Sequence, residues 1–149
     1  MSHSADLDRK VLAAVERLGR ALRAARQDVA TRHEVSLLGL SVIETLADGR
    51  PRRVGDLAAE LDVSQPTVSD AVTVLDKRGL IRRDRDPADL RSTLVALTDD
   101  GDRLAADAAA ELAPLLAAGS GTDADRATTL RVLLGEIARL QAAGVITVN

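Results

Sequence analysis

Residues 64–73 read SQPTVSDAVT and residues 82–91 read RRDRDPADLR, and these two runs hold the side chains best suited to chemistry with a partner. In the first, Ser64, Gln65, Thr67, Ser69, Asp70 and Thr73 are short hydrogen-bonding groups, unlike the long charged side chains of an idle surface. Such groups match nucleobase edges: Gln pairs bidentately with adenine, Ser and Thr bond bases or phosphates, and Asp accepts from cytosine N4. In the second run arginines alternate with aspartates around Pro87, a pattern suited to binding anions. Neither run is built for making bonds. Catalysis needs a nucleophile with a base, or a metal cluster. The chain has no cysteine and its two histidines, His3 and His33, are isolated, so no enzymatic activity, metal or cofactor is expected. The same lack of cysteine excludes disulfides and thiol-based peroxide sensing.

The elements that position these runs must come from an aliphatic chain. Its 149 residues fit one domain, and with 46% apolar residues but no Phe, Tyr or Trp the core has to be Leu, Val, Ile and Ala, which favours helices. No apolar run is long enough to span a membrane, and the opening MSHSADLDRK lacks the apolar segment of a signal peptide, so a cytoplasmic protein with no membrane partner is expected. The net charge of −3 argues against nonspecific coating of nucleic acid, yet an average hides local patches. Residues 50–91 carry nine of the 20 basic residues, bunched at Arg50, Arg52 and Arg53 and again at Lys77, Arg78, Arg82, Arg83, Arg85 and Arg91. The acidic surplus lies toward the C-terminus.

Apolar periodicity predicts a long amphipathic helix through Leu7, Val11, Val15, Leu18, Leu22, Ala25 and Val29. A second stripe, Leu104, Ala108, Leu112 and Leu115, marks a helix that Pro114 should kink or end, and a third, Leu130, Leu133, Ile137 and Leu140, follows a cap at Thr122 or Asp123. Each stripe wants a partner, either within the chain or on a second subunit. In the middle third, Ser36 can cap a helix to about Leu46, ended by the turn Asp48-Gly49. Leu57, Ala58 and Leu61 give a helix of two turns, Asp62-Val63 turns the chain, and Ser64 caps a second helix that tolerates Pro66 in its first turn and ends at Gly79. Val68, Val72 and Leu75 then face inward and the short polar groups outward, as in a helix-turn-helix presented to the major groove.

Leu80–Arg83 and Thr93–Leu97 read as strands around a charged loop, DRDPADLRS, which makes a wing. An arginine on such a ribbon can enter a narrow minor groove, and Asp89 is placed to hold the Arg91 guanidinium by a charge-assisted hydrogen bond. Thr98 caps the helix that follows, with Asp99 and Asp100 complementing its dipole.

The segment LAAELDVSQPTVSDAVTVLDKRGLIRRDRDPADLRSTLVALTDDG resembles the MarR-type winged helix-turn-helix regulators, most tightly in D-x-R-x5-L-T-x-x-G at Asp89, Arg91, Leu97, Thr98 and Gly101. The fold implied is mainly α with a small β-wing. A single domain over residues 5–143 would comprise a DNA-binding lobe at 36–98 and dimerisation helices at 5–32 and 99–143. The resemblance implies a homodimer, a repressor, on a pseudo-palindromic double-stranded operator. Its recognition helices would stand roughly 34–36 Å apart, one DNA turn. The DNA-binding residues would be Ser64, Gln65, Pro66, Thr67, Ser69, Asp70, Thr73, Lys77, Arg83, Arg85 and Arg91, with Asp89 orienting the wing.

Two positions depart from the family pattern. Asp70 stands where a basic residue is common, and Leu90 where a second arginine is common. Many members are released from DNA by small aromatic acids bound beside the dimer helices. Here such an effector would meet an aliphatic pocket, with Arg17, Arg20 or Arg23 available to an anion unless they are simply a solvated helix face. The competing reading is a winged-helix module for protein contact, which has no need of Arg91.

Overall fold

Burying aliphatic side chains without aromatic ones calls for several helices around one short central helix, and the chain supplies them. The computed structural model describes residues 2–117 and, beyond them, residues 122, 131, 135, 138, 139, 142 and 144. In chain order the elements are α1 (Ser2–Arg32), α2 (Leu37–Leu46), β1 (Arg52–Arg53), α3 (Val54–Leu61), α4 (Gln65–Lys77), β2 (Ile81–Asp86), β3 (Asp89–Leu97) and α5 (Asp99–Ala117). The strands form one antiparallel sheet in the order β1-β3-β2. The fold is a winged helix, mainly α with a small β-wing.

Helix α2 is the hub. Leu40, Val42, Ile43 and Leu46 are sealed from solvent and meet Leu57 of α3, Val68, Val72 and Leu75 of α4, Ile81 and Val95 of the sheet, and Ala108 of α5. Local signals set the helix ends. The Ser36 hydroxyl accepts the Gly39 N–H at 2.9 Å and starts α2; the Ser64 hydroxyl accepts the Thr67 N–H at 3.3 Å and starts α4. Asp62 turns the chain between α3 and α4 in the left-handed region, φ 53°, a conformation Asp tolerates better than most residues.

Helix α1 behaves as two halves. Val29 and Ala30 are enclosed by the core, whereas Val11, Leu12, Val15 and Leu18 are 48–59% exposed, so the upstream stripe has no cover within the described chain. The downstream stripe at Leu130, Leu133, Ile137 and Leu140 lies outside the described residues, as does Asp123. Ion pairs and hydrogen bonds lock the lower half of α1 to its neighbours. Glu111 of α5 accepts from Arg32 Nε and His33 Nε2, both at 2.8 Å, and these two partners hold its carboxyl below the ordinary range. Arg78, at the end of α4, donates to the carbonyls of Glu34 and His33 in the α1–α2 turn.

Three expectations need correcting. The charged stretch 84–92 is not a loop: β2 and β3 run on to a two-residue turn at Pro87-Ala88, because the Asp86 carboxylate accepts the Ala88 N–H and its charge is matched within the fold by Arg53. Strand β1 was not anticipated, since two arginines carry no period-2 signal. Pro114 does not end its helix, which continues to Ala117.

The L-T-x-x-G signature has a packing origin. Thr98 starts α5: its hydroxyl accepts the Gly101 N–H at 3.2 Å and donates to the Gly79 carbonyl at 2.6 Å, while its own N–H reaches the Leu80 carbonyl at 3.1 Å. Gly101 lies against that carbonyl so closely that an added Cβ would stand 2.0 Å from the Leu80 oxygen and 3.1 Å from Leu97 Cδ2. Gly101→Ala therefore has to push α5 off the base of the wing. We expect a loss of about 1–3 kcal/mol, as for other overpacked sites, measured as a lower urea midpoint with the helical signal retained before the transition. An unchanged midpoint would contradict this packing.

Candidate nucleic-acid interface

The helix-turn-helix signal in α3 and α4 yields the exposed face expected of it only in part. Along α4, Gln65, Pro66, Thr67 and Asp70 are exposed, as are Ser64 before it and Lys77 at its end, while Ser69 and Thr73 are half-buried. The first turn is pinned by Ser64, whose hydroxyl also meets that of Thr67 at 2.6 Å. Neither Asp70 nor Lys77 has an ion-pair partner among the described residues, so both present bare charges outward.

The second half of α4 is tied to the wing. The Thr73 hydroxyl donates to the Ser69 carbonyl at 2.8 Å and accepts from Arg83 Nη2 at 2.7 Å, and Arg83 Nε pairs with Asp76 at 3.2 Å. Arg82 pairs with Asp84 at 3.2 Å. Arg85 and Arg91 are exposed, and their guanidinium groups have no ion-pair partner among the described residues.

The wing is irregular where Arg91 stands. Pairing runs from Ile81↔Leu97 to Arg85↔Thr93 and then shifts to Asp86↔Asp89, so Leu90, Arg91 and Ser92 lie opposite no residue of β2. Bulges of this kind re-aim a side chain. Asp89 shapes the bulge, but not as expected. One of its oxygens accepts the Arg91 backbone N–H at 3.1 Å and the other the Ser92 hydroxyl at 2.8 Å, so it orders the backbone and leaves the guanidinium free. The reason is local: a short Asp side chain two residues upstream reaches the nearer backbone donor before the far end of a long arginine.

A pair that the sequence did not reveal holds the wing down. Asp86 is 5% exposed and accepts from Arg53 Nε at 2.7 Å and from the Ala88 N–H at 2.8 Å. The Ala88 N–H first, then the Arg53 guanidinium, hold the Asp86 carboxyl below its ordinary range, and the same contact raises the affinity of Arg53 for its proton. Arg53 immediately precedes α3, so this contact fixes the wing turn to the start of the helix-turn-helix. The partners are 33 residues apart, and no local pattern in the sequence joins them.

Together these elements frame a cleft of about 360 Å³. Gln65 and Ser69 line one wall, Arg83, Arg91, Ser92 and Thr93 the other, and the first turn of α3 at Val54–Asp56 its end. Of the candidate DNA-binding residues, the fold thus brings Gln65, Ser69, Arg83 and Arg91 around one space. The model of the MarR family matches residues 35–92, which contain both walls except Thr93.

Solved structures share this fold over most of the chain. A MarR-family transcription regulator is 23% identical over 97% of this chain and 97% of its own, with a TM-score of 0.80. CouR from Rhodococcus jostii RHA1, bound to p-coumaroyl-CoA, is 25% identical over 84% of this chain and 89% of its own, at 0.69. Bordetella bronchiseptica BpsR, whose DNA binding is regulated by 6-hydroxynicotinic acid, is 23% identical over 85% and 98%, at 0.67. No curated protein sequence matches the chain.

The Arg53–Asp86 contact sets a pH dependence. A carboxyl whose folded-state pKa is depressed stabilises the fold above its unfolded value of about 3.9, and that stabilisation is lost as pH falls through the folded value. The urea midpoint of the wild type should therefore drop more steeply below about pH 5 than that of Asp86→Asn, which lacks the titrating group. Parallel profiles would mean that Asp86 is not held as described.

Proposed function

We propose that this chain is a MarR-type, cytoplasmic, homodimeric, sequence-specific DNA-binding regulator, a repressor, acting by binding and not by catalysis. The observation that carries the reading is the cleft where the unpaired Arg91 faces Gln65 and Ser69 of α4. The N-terminal half of α4 enters the major groove with Gln65, Thr67, Ser69 and Asp70, supported by Ser64 and Pro66. Arg91 enters the adjoining minor groove, and Arg85 and Lys77 meet phosphates. Asp70 repels phosphate but accepts from cytosine N4, which favours C·G at its position.

The exposed stripe Val11, Leu12, Val15 and Leu18 supports dimerisation, because an apolar helix face of this length is covered in solution. Residues 5–32 and 99–143 serve that purpose, and residues 36–98 form the DNA-binding lobe. An organic anion is the effector. Arg23, which has no ion-pair partner among the described residues, lines with Ser41, Leu61 and Val63 a cleft of about 270 Å³ between α1 and the DNA-binding lobe. CouR and BpsR, which their structures connect with p-coumaroyl-CoA and 6-hydroxynicotinic acid, support that class.

Selection of genomic fragments with the purified full chain tests the reading and should return one recurrent inverted repeat. Recovery of fragments with no common sequence would overturn it. On that operator Arg91→Ala should weaken binding by about ten- to a hundredfold, the effect of losing one specific contact in each half-site. An unchanged gel shift would remove Arg91 from the minor groove.

A further inference from the structure

The geometry points to Arg83 as a positioning residue that sets the angle between the recognition helix and the wing, and not as a ligand of DNA phosphate. This inference rests on the DNA-binding reading above and refines it.

Arg83 and Arg85 stand on one side of β2, two residues apart, opposite Val95 and Thr93 of β3. Their surroundings differ. Arg85 has no ion-pair partner among the described residues. Arg83 is held at two points on the neighbouring helix, by the Asp76 carboxylate at 3.2 Å and the Thr73 hydroxyl at 2.7 Å. Thr73 is itself fixed, because its proton goes to the Ser69 carbonyl at 2.8 Å. With Nε on Asp76 and Nη2 on Thr73, mainly the Nη1 side is left for a phosphate, and the Asp76 carboxylate beside it offsets the attraction to an anion. A guanidinium is planar and forked, so two contacts define its plane as well as its place, which a single-point lysine does not.

The site of this grip matters. Val68, Val72 and Leu75 pack the inner side of α4 into the core and resist rotation about the helix axis from within. The Arg83 fork crosses from β2 to the last two turns of α4 and opposes that rotation. The readers at Gln65 and Ser69 lie one to three turns upstream, facing Arg91 across the cleft. A change of angle at Arg83 therefore alters the separation between the two groups that must enter adjacent grooves.

The two roles predict opposite results for Asp76. Operator and random-sequence duplexes are titrated with the full chain over a range of salt concentrations, for wild type, Arg83→Ala, Arg83→Lys, Asp76→Asn and Arg85→Ala. With Arg83 as a positioning residue, Arg83→Ala, Arg83→Lys and Asp76→Asn each lower the ratio of operator to random affinity by about tenfold, in the range of contact-network couplings. The salt dependence of Arg83→Lys and Asp76→Asn stays at the wild-type slope, whereas Arg85→Ala, which removes a phosphate contact from each half-site, lowers it by about 0.9 per phosphate. Arg83→Lys guards against misfolding, since it keeps the charge and most of the packing.

The inference is overturned if Asp76→Asn binds the operator more tightly with its selectivity intact, or if Arg83→Ala lowers the salt slope as Arg85→Ala does while Arg83→Lys restores it. A wild type that does not distinguish operator from random duplex overturns the DNA-binding reading itself, and this inference with it.

Discussion

The wing depends on one buried carboxylate. Asp86 is almost closed to water, and a carboxylate in that position is tolerated only when its oxygens are hydrogen-bonded and its charge is matched. The Ala88 N–H and the Arg53 guanidinium meet both conditions. Because Ala88 is in the hairpin turn and Arg53 directly before α3, satisfying this one group draws the tip of the hairpin onto the start of the helix-turn-helix. Without that contact the hairpin tip would lose its tie to the start of α3, and the ribbon would be held only lower down, by Ile81, Val95 and Leu97, by its pairing with β1 and by the grip of Arg83 on α4.

The same pairing logic explains how a chain of net charge −3 presents a basic surface. Several arginines are matched to carboxylates within the fold: Arg26 to Glu44, Arg32 to Glu111, Arg52 to Asp48 and Glu60, Arg53 to Asp86, Arg83 to Asp76. Exposed pairs of this type add little stability, typically under about 1 kcal/mol, so their main effect is geometric. On the wing, pairing engages Arg82 and Arg83 and leaves Arg85 and Arg91 for an outside anion. The acidic residues thus sharpen the basic surface.

Features with a local cause were legible in the sequence. Ser36, Ser64 and Thr98 are caps because a hydroxyl reaches an N–H three residues on, and all three start helices where the pattern places them. The inward set Val68, Val72 and Leu75 follows from helical spacing alone. Features made by distant partners were not legible. Arg53 and Asp86 meet only after β1 has paired with β3, and Thr73 looks like a groove reader until β2 folds back and lays Arg83 against it. Asp89 misled for the opposite reason, since the nearest donor to its carboxylate is the backbone of the same segment. Gly101 was visible as part of a pattern, but its reason, the Leu80 carbonyl, is a tertiary contact.

The central claim is that the start of α4 and the tip of the wing address neighbouring grooves of one duplex, twice, about a twofold axis. Hydroxyl-radical footprinting of the full chain on its selected operator measures this most directly, because it reports minor-groove protection at single-nucleotide resolution. The account predicts two symmetry-related sets of protection, with major-groove centres about 10 base pairs apart and a protected minor groove beside each. A single unsymmetrical footprint, or paired major-groove contacts with the flanking minor grooves open to cleavage, would contradict it.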